Sequence, residues 1–391
     1  MDNNNYDITK NNNYGLTEAD NRGSTQDNFS SSRDISTANS GYIVINKHEL
    51  NTEYVNNRIK EEKESKRDLN KAERIPVETN IFFNPVFYTA ICGMFAALIG
   101  WGPIEAMAKT QEDTIMDSLI IVVTMAIGCC ISALDSVMSG NFPKAIRNGA
   151  IGLGSGLLSG VVFHYVGNLL FRLLLGFIAL ALLKMFPSIR ENEPKLVSCV
   201  LLMSARAPIW ALLGAGIGII PGIANKSQKL MFNGVIGGMI GGFMGGFFFD
   251  PISFLAHSIG TTQGGWSRGI GLSVLGLMIG VFIGLVENMA KDVWVTMKSG
   301  PLRGKQFVIY HNPTLIGSSP RSDIYIFKDP NVMPTHAKIQ KKGSKYEIID
   351  DSKGVGVYVN SEKINGSKIL ESDDTIIVGQ SILQFQQKER R

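Results

Sequence analysis

A series of long apolar segments between residues 82 and 289 constrains the fold of this chain more than any other feature. A helix needs about 20 predominantly apolar residues to cross a bilayer. The segments that meet this requirement are 86–104, 118–138, 148–164, 207–224, 230–248 and 267–288. The sequence therefore predicts an α-helical polytopic membrane domain with about six spans.

Glycine recurs at every fourth position within these segments. The stripes are Gly152, Gly156 and Gly160; Gly214, Gly218 and Gly222; Gly237, Gly241 and Gly245, beside a parallel stripe from Gly234 to Gly246; and Gly276, Gly280 and Gly284. Residues four apart lie on one helical face, and a face without side chains lets two backbones approach closely. This pattern predicts a tightly packed bundle, formed by one chain or by a homo-oligomer.

A pore lined by small residues is the alternative explanation of the glycine pattern. A conducting path needs polar or ionisable groups that face a cavity within the membrane. Asp135 and Glu287 instead lie near helix ends, and Asp250 precedes Pro251 at the end of another segment. An ion pair between Asp250 and Arg268 is conceivable across the loop. The scarcity of charges inside the spans favours packing over transport.

An internal repeat sets the orientation of the predicted spans. Lys144 and Asn148, with the glycines that follow them, recur as Lys229 and Asn233 at a constant offset, and Arg206 recurs as Arg268. Under the positive-inside rule the lysine-containing loops are cytoplasmic. Both termini of the chain are then cytoplasmic as well.

The apolar stretch 168–186 does not fit this scheme of spans, because it contains Arg172 and ends near Lys184. A seventh span here would repair the charge pattern, but it would break the parity that the repeat requires unless a second short helix near 196–204 returned the chain. We therefore interpret 168–186 as an interfacial or re-entrant helix.

The first 80 residues are polar and contain runs of asparagine. They carry too few clustered apolar positions to offset chain entropy, so a disordered cytoplasmic tail is predicted over 1–80. Within it, residues 55–74 mix both charge signs at helical spacing, which indicates an exposed helical linker. The formal net charge of +4 is small for 391 residues and no basic face is evident, so no nucleic-acid partner is expected.

The last segment, 299–391, changes character. Short alternating runs such as Ile324–Phe327 and Thr375–Val378 replace the glycine stripes. Turn signals stand between them at Lys342-Gly343 and Asn365-Gly366. Period-two alternation bounded by turns predicts an antiparallel all-β sandwich.

Several short motifs in this segment resemble a forkhead-associated (FHA) domain, a sandwich that usually binds phosphothreonine. They are Leu315-Ile316-Gly317, Pro334-Thr335-His336, the run from Gly356 to Asn360 and the run from Asp374 to Gly379. The resemblance covers about 301–388, and it implies that Gly317, His336, Gly356 and Asn360 shape the binding loops. Together with the apolar half, the chain resembles prokaryotic multi-pass membrane proteins that carry a C-terminal FHA domain.

Three positions depart from the FHA pattern. In that family an arginine usually follows the first motif glycine, and here Ser318 stands there. Met333 replaces a serine that contacts phosphate, and Val355 replaces an asparagine that holds the peptide backbone. Phosphate recognition needs charge-assisted hydrogen bonds, best from arginine. These departures favour phospho-independent binding and leave residual phosphothreonine binding open.

A substitute binding site can still be assembled from nearby residues. The candidates for contacting a peptide or phosphopeptide are Ser318, Ser319, Arg321 and Thr335. Arg321 comes three residues later than the family's arginine, so its use requires the loop to fold back.

The sequence predicts a membrane-anchored interaction module that recruits or organises a protein or phosphopeptide partner at the lipid bilayer. The histidines are isolated, and no P-loop, GxSxG or HExxH motif is present. We therefore expect no enzymatic activity, no cofactor and no metal. The alternative is a small-solute channel or transporter that the FHA-like domain regulates.

Overall fold

The structure is a computed structural model, and it describes residues 81–108, 112–185, 195–258 and 264–388. The predicted tail over 1–80 and its helical linker at 55–74 lie outside the described residues. The described part of the chain runs through a set of long helices and then through a set of strands.

Seven long helices precede the first strand in the described residues. A 3₁₀ turn at Ile81–Phe83 leads into them, and a π-helical turn at Phe163–Gly167 joins the third to the fourth. The helices are α1 (Pro85–Ala108), α2 (Glu112–Met138), α3 (Phe142–Val162), α4 (Asn168–Met185), α5 (Lys195–Ala224), α6 (Gln228–Ser258) and α7 (Gly264–Ala290).

Six stretches of these helices are long and apolar enough to cross a membrane. They are Pro85–Met107, Ser118–Met138, Phe142–Ala181, Leu202–Ala224, Gln228–Phe249 and Gly265–Ala290. The fold class predicted from the sequence, an apolar helical bundle followed by an all-β sandwich, is thus confirmed.

Six of these helices form a ring, in the order α1, α2, α3, α5, α6, α7 and back to α1, and α4 packs against α5. Apolar side chains fill the interior of this ring. The most buried include Ile127, Leu213, Ile217, Leu275 and Ile279, each at most 1% exposed. Apolar side chains of this kind pack closely against one another in the described core.

The glycine stripes lie where neighbouring helices meet. A Cβ atom added at Gly156 would lie 2.6 Å from the Thr124 carbonyl oxygen of α2, and one at Gly241 would lie 2.6 Å from Ile279 Cα of α7. At Gly214 the added atom would overlap the carbonyl of Gly238 on α6. The neighbours at these positions are backbone atoms, which cannot move aside as a flexible side chain can.

The stretch 168–186 differs from the sequence interpretation. In place of a separate interfacial or re-entrant helix, α4 continues α3 through the π-helical turn. The segment is rich in leucine, a strong helix former, and the next proline comes only at Pro187. Leu169, Leu173 and Phe177 of α4 are more than half exposed.

Arg268 of α7 binds Glu105 of α1. Its Nη2 and Nε donate to the two carboxylate oxygens of Glu105 at 2.7 and 3.2 Å. The glycine contact between α1 and α7 brings these two side chains together, and the indole of Trp101 also donates to Glu105. The side chain of Asp250 lies outside the described residues, so the conceived Arg268–Asp250 pair stays a prediction.

Two sheets form the C-terminal sandwich. One has the strand order β2-β1-β11-β10-β7-β8 and the other β4-β3-β5-β6-β9. The strands are β1 (Val293–Ser299), β2 (Gln306–Val308), β3 (Thr314–Gly317), β4 (Ile324–Tyr325), β5 (Ala337–Lys342), β6 (Lys345–Asp350), β7 (Val357–Val359), β8 (Glu362–Lys363), β9 (Ser367–Leu370), β10 (Thr375–Val378) and β11 (Ser381–Gln387).

The sandwich begins earlier than the sequence boundary at 299. Strand β1 starts at Val293, with only two residues between it and the end of α7, and it pairs with β11 along most of its length. Apolar and polar residues alternate only weakly in the run Val293–Met297, which directly follows an apolar helix. The sequence pattern therefore does not separate this strand from the helix before it. Because the connection is this short, the sandwich lies directly against one end of the bundle.

Candidate functional site

The loops after β3 and before β5 lie side by side at one end of the sandwich. The backbone N–H of Ser318 donates to the Met333 carbonyl at 3.0 Å, and that of Ser319 donates to the Pro334 carbonyl at 3.2 Å. A Cβ at Gly317 would overlap the Pro334 carbonyl, so only glycine allows this approach. The pairing brings Ser318 and Ser319 next to the segment that carries Thr335.

The four candidate ligand-binding side chains differ in how available they are. The Ser318 hydroxyl donates to the Val332 carbonyl at 2.8 Å and therefore holds the two loops together. The Ser319 hydroxyl accepts from the backbone N–H of Arg321 at 3.3 Å. Arg321 is exposed and Thr335 is half-buried. Arg321 is thus the one of these four side chains that can bring a positive charge to a ligand.

His336 joins two loops from a fully buried position. Its Nδ1 accepts from the backbone N–H of Met333 at 3.1 Å, and its Nε2 lies 3.2 Å from the carbonyl oxygen of Gly356. These contacts require the tautomer that carries its proton on Nε2. The hydroxyl of Ser352 in turn accepts from the N–H of Gly356. His336 is therefore placed to fix loop geometry and does not face a ligand.

Asn360 lies in the tight turn between β7 and β8. Asn360 and Ser361 have φ angles of 52° and 66°, the left-handed conformation that two-residue hairpin turns require. The Asn360 side chain accepts from the N–H of Thr375 at 2.9 Å and donates to Asp374 at 2.7 Å. These contacts tie the turn to β10.

The sandwich is attached to the helical bundle through charged and polar contacts. Lys305 Nζ lies 2.8 Å from Asp135 Oδ1 at the end of α2, and the lysine side chain is only 3% exposed. The Tyr310 hydroxyl donates to Glu287 of α7 at 2.9 Å. Burial raises the pKa of Tyr310, and the carboxylate of Glu287 raises it further. The phenol therefore stays protonated and can donate.

The loop that carries the candidate ligand-binding residues also touches the bundle. The Asn141 side chain, which caps α3, donates from Nδ2 to the Pro320 carbonyl at 2.8 Å. Beside it, the ring of Phe327 packs against Gly140, where a Cβ would lie 2.7 Å from the ring. A ligand that moves the β3–β4 loop would therefore change the contacts of the α2–α3 loop.

His311 connects the sandwich to the end of α5. Its Nδ1 lies 2.9 Å from Asp323 Oδ1 and its Nε2 lies 2.8 Å from the Asn225 carbonyl oxygen. Both neighbours are acceptors, so only the imidazolium form donates to both. The hydrogen bond to Asp323 raises the pKa of His311, the carbonyl of Asn225 adds to this, and burial opposes it.

This contact is expected to make attachment of the sandwich depend on pH. The pKa of His311 is raised in the folded state, so the charged imidazole stabilises the contact fully below its unfolded-state pKa of about 6.5. This stabilisation is lost as the pH rises through the folded-state pKa. Burial raises the pKa of Asp323, but the bonds from His311 and Leu315 outweigh it and leave a net lowering. The ionised carboxylate of Asp323 therefore stabilises the contact above about pH 4, and this stabilisation is lost as the pH falls through the folded-state pKa.

Deuterium uptake by residues 305–311 of the full chain should therefore be lowest between about pH 4 and pH 6.5, after correction for intrinsic exchange, and rise above that window. His311→Gln, which cannot become charged, should remove the rise. An unchanged pH profile in that variant would contradict the assignment.

Removing the buried ammonium of Lys305 should also loosen the sandwich. Lys305→Met keeps the stem but leaves Asp135 without its partner, which costs about 1–3 kcal/mol at such a site. We expect faster deuterium exchange at β1 and β2. Lys368→Met is the matched control, because its pair with Glu362 is exposed and long at 3.4 Å, and should change little.

Sequence reasoning missed the residues of this contact. It noted Asp135 and Glu287 as carboxylates near helix ends, but it gave them no partners and treated His311 as isolated. A signal was present, because a carboxylate at the end of an apolar helix beside a short connection needs a nearby cation or donor. Nothing in the sequence shows which strand supplies that donor.

The comparisons with known proteins concern the C-terminal part of the chain. Residues 297–389 match the family described as the inner membrane component of T3SS, cytoplasmic domain. An oxoglutarate dehydrogenase inhibitor of Corynebacterium jeikeium is 36% identical over 102 residues, which are 26% of this chain and 67% of that protein. The glycogen accumulation regulator GarA of Mycolicibacterium smegmatis is 31% identical over 91 residues, 23% of this chain and 56% of that protein.

Among solved structures, the cytoplasmic domain of the T3SS sorting platform protein PscD from P. aeruginosa is 15% identical with a TM-score of 0.23, covering 26% of this chain and 83% of its own. A structure described as the FHA domain of the CT664 protein from Chlamydia trachomatis is 21% identical, also with a TM-score of 0.23, covering 25% and 100%. On the sequence matches, the chain belongs to the proteins that carry an FHA domain, and this domain is its C-terminal sandwich.

Proposed function

We propose that this protein is a membrane-anchored interaction module that uses its FHA domain to recruit or organise a protein partner at the cytoplasmic face of the membrane. The observation that carries the proposal is the attachment of the sandwich to one end of an apolar bundle, through Lys305 and Asp135 and through Tyr310 and Glu287. The bundle then serves as the anchor, and the FHA loops present the binding surface.

The proposed orientation has the sandwich and both termini in the cytoplasm. The sandwich end of the bundle carries Lys144, Arg147, Lys226 and Lys229, which lie in a connecting loop or in the first two turns of the helix that follows one. An excess of lysine and arginine in short loops marks the cytoplasmic side of a membrane protein. Attachment of the sandwich at this end supports the same orientation.

The partner's chemistry follows from the exposed residues of the loops. Arg321 is exposed, whereas the Ser318 hydroxyl is already bonded to Val332. One arginine, with the Ser318 hydroxyl already donating elsewhere, provides fewer charge-assisted bonds than a dedicated phosphate site needs. A partner recognised mainly by its backbone and shape is therefore favoured over one that requires phosphothreonine.

A channel or transporter regulated by the FHA domain is the second candidate function. It requires a polar path, and the apolar core around Ile127, Ile217 and Ile279 offers none among the described residues. The packing of this core therefore favours a membrane anchor over a channel or transporter.

The test uses the full chain in lipid nanodiscs and a library of phosphothreonine peptides with matched unphosphorylated peptides. We expect binding without preference for the phosphate. Binding that depends on phosphate and is lost in Arg321→Ala, but kept in Lys328→Ala, would instead assign a relocated phosphothreonine site. Solute flux through proteoliposomes of the same protein would support the conduit and contradict the anchor.

A further inference from the structure

An apolar groove of about 400 Å³ runs along the outer surface of the helical bundle, between α3 and α5. Leu158 and Val162 of α3 and Leu212 of α5 line it, and each of these side chains is about half exposed or more. The hydroxyl of Ser155 also borders the groove, but it donates to the Ile151 carbonyl at 2.6 Å and is therefore satisfied within its own helix. Walls of this composition suit an apolar chain.

The groove is long enough to hold such a chain. On the α5 side it is lined by Ile223, one residue before the helix ends, and by Leu212, eleven residues earlier. A helix rises about 1.5 Å per residue, so these two residues lie about 16 Å apart along α5. Half of the hydrocarbon core of a bilayer is about 15 Å thick. The groove therefore accommodates an acyl chain of one leaflet, beginning at the sandwich end of the bundle.

Two cations continue the helical faces that line the groove. Leu158 and Val162 follow Arg147 by eleven and fifteen residues, spacings that return to one face of a helix. Lys226 comes three residues after Ile223, just beyond the end of α5. Both cations are exposed, and neither forms an ion pair within the part of the chain that the structure describes.

A chain of hydrogen bonds joins the two helices where these cations lie. Arg147 donates from Nη2 and Nε to Asn148 Oδ1 at 3.2 and 3.4 Å, which leaves Nη1 without a described bond. The fully buried Asn148 donates from Nδ2 to Asn225 Oδ1 at 3.3 Å. Lys226 follows Asn225 directly. The guanidinium and the ammonium thus stand on the two sides of one junction between α3 and α5.

We propose that this groove binds an anionic glycerophospholipid, with its phosphate between Arg147 and Lys226 and one acyl chain between α3 and α5. Phosphate oxygens accept charge-assisted hydrogen bonds, and basic pockets between membrane helices bind acidic head groups. A zwitterionic lipid provides the same acyl chain, but its own cation offsets the charge of the phosphate. The unpaired cations therefore select the anionic lipid.

This inference rests on the proposed membrane anchoring of the bundle, and it is independent of what the FHA domain binds. Extraction of cell membranes with alkaline carbonate tests the anchoring separately. Release of the protein by carbonate would contradict the anchor, and the lipid site with it. A protein that resists carbonate but shows no preference for anionic lipid would contradict the lipid site alone.

The test of the site measures the thermal unfolding midpoint of the full chain in a non-ionic detergent. Phosphatidylglycerol or phosphatidylcholine with identical acyl chains is added at increasing concentration. A ligand that binds only the folded state raises the midpoint with its concentration. We expect a larger rise with phosphatidylglycerol. Equal rises from the two lipids would overturn the proposal, and an equal rise from soluble glycerol phosphate would show a phosphate site that needs no lipid.

The double substitution Arg147→Gln and Lys226→Gln locates the head group. It should raise the concentration of phosphatidylglycerol needed for half of the midpoint rise roughly 10–30-fold, the scale for two basic residues that face anionic lipid. Lys345→Gln with Lys353→Gln is the matched control, because it removes the same charge from exposed positions of the sandwich and should keep the full response. An equal loss in both double variants would indicate general attraction between charges and no site.

Ile223→Trp tests the groove without changing the charge, and it decides the matter if the double variant does not fold. An indole at this position should fill the mouth of the groove and reduce the response to phosphatidylglycerol. Ile99→Trp, at an exposed position of α1, is the control and should keep the response. An unchanged response in Ile223→Trp would contradict the proposal. So would a dimer, detected by light scattering, that Ile223→Trp alone dissociates, because a second copy would then occupy the groove.

Discussion

Replacing Gly241 by leucine is expected to prevent the helical bundle from assembling. A Cβ at this position would lie 2.6 Å from both the Cα of Ile279 and the carbonyl oxygen of Met278 on α7. Backbone atoms cannot rotate away, so α6 and α7 would have to separate along their contact. Gly245 meets Leu275 in the same way one turn later, and the double substitution should be worse.

The expected cost is at least about 3 kcal/mol, above the usual range for inserting methylenes into a packed core. The measurement is the unfolding midpoint and the monodispersity of the purified protein in detergent. Separation of α6 from α7 should also expose the apolar core. Lipid provides no hydrophobic force that would bring the two helices together again. Aggregation or a large loss of folded protein is therefore the anticipated outcome.

Gly154→Leu is the matched control for this substitution. Gly154 lies on α3 within the same kind of glycine-rich helix, but an added Cβ there meets nothing within 4 Å. The same change in residue volume should have little effect at this site. If Gly154→Leu and Gly241→Leu lowered the midpoint equally, the close backbone contact at Gly241 could not be the cause of the loss, and the packing hypothesis would fail.

The sequence predicted the existence of both halves of the fold because each has a strong local period. Glycine at every fourth position and alternation at every second position are properties of single helices and strands. The same logic failed at Asn168–Met185, where the charges of Arg172 and Lys184 suggested a break. Backbone geometry continues the helix there, because leucine-rich sequence without proline gives the chain no reason to turn.

The contact between the two halves could not be predicted, because it depends on side chains far apart in sequence. Lys305 and Asp135 are 170 positions apart, and neither belongs to a recognisable motif. The candidate ligand-binding residues were found through spacing within one loop, which is local. Whether the Ser318 hydroxyl faces a ligand or the Val332 carbonyl depends on the fold of the neighbouring loop.

His336→Ala is expected to destabilise the ligand-binding end of the sandwich more than any other single change there. The imidazole is fully buried and bonded to the backbone of both Met333 and Gly356. Alanine would leave one N–H and one carbonyl unsatisfied and would open a cavity. Buried polar groups that lose their partners cost about 1–3 kcal/mol each, so about 2–5 kcal/mol is expected for the site.

Hydrogen exchange of the full chain provides the measurement, because it gives the free energy of opening segment by segment. In His336→Ala, protection should fall in the loops at 329–336 and 351–356, while the amides of α6 and α7 keep theirs. Val355→Ala, which shortens an exposed side chain in one of the same loops, is the control and should change little.

The distribution of the loss decides between two roles for His336. If His336 fixes loop geometry, its removal must lower the protection of both loops, because it is bonded to both. It should then also weaken any peptide binding at Arg321 without touching the peptide. If the protection of both loops were unchanged while peptide binding was lost, His336 would contact the ligand directly, and its buried position would have to open when the ligand binds.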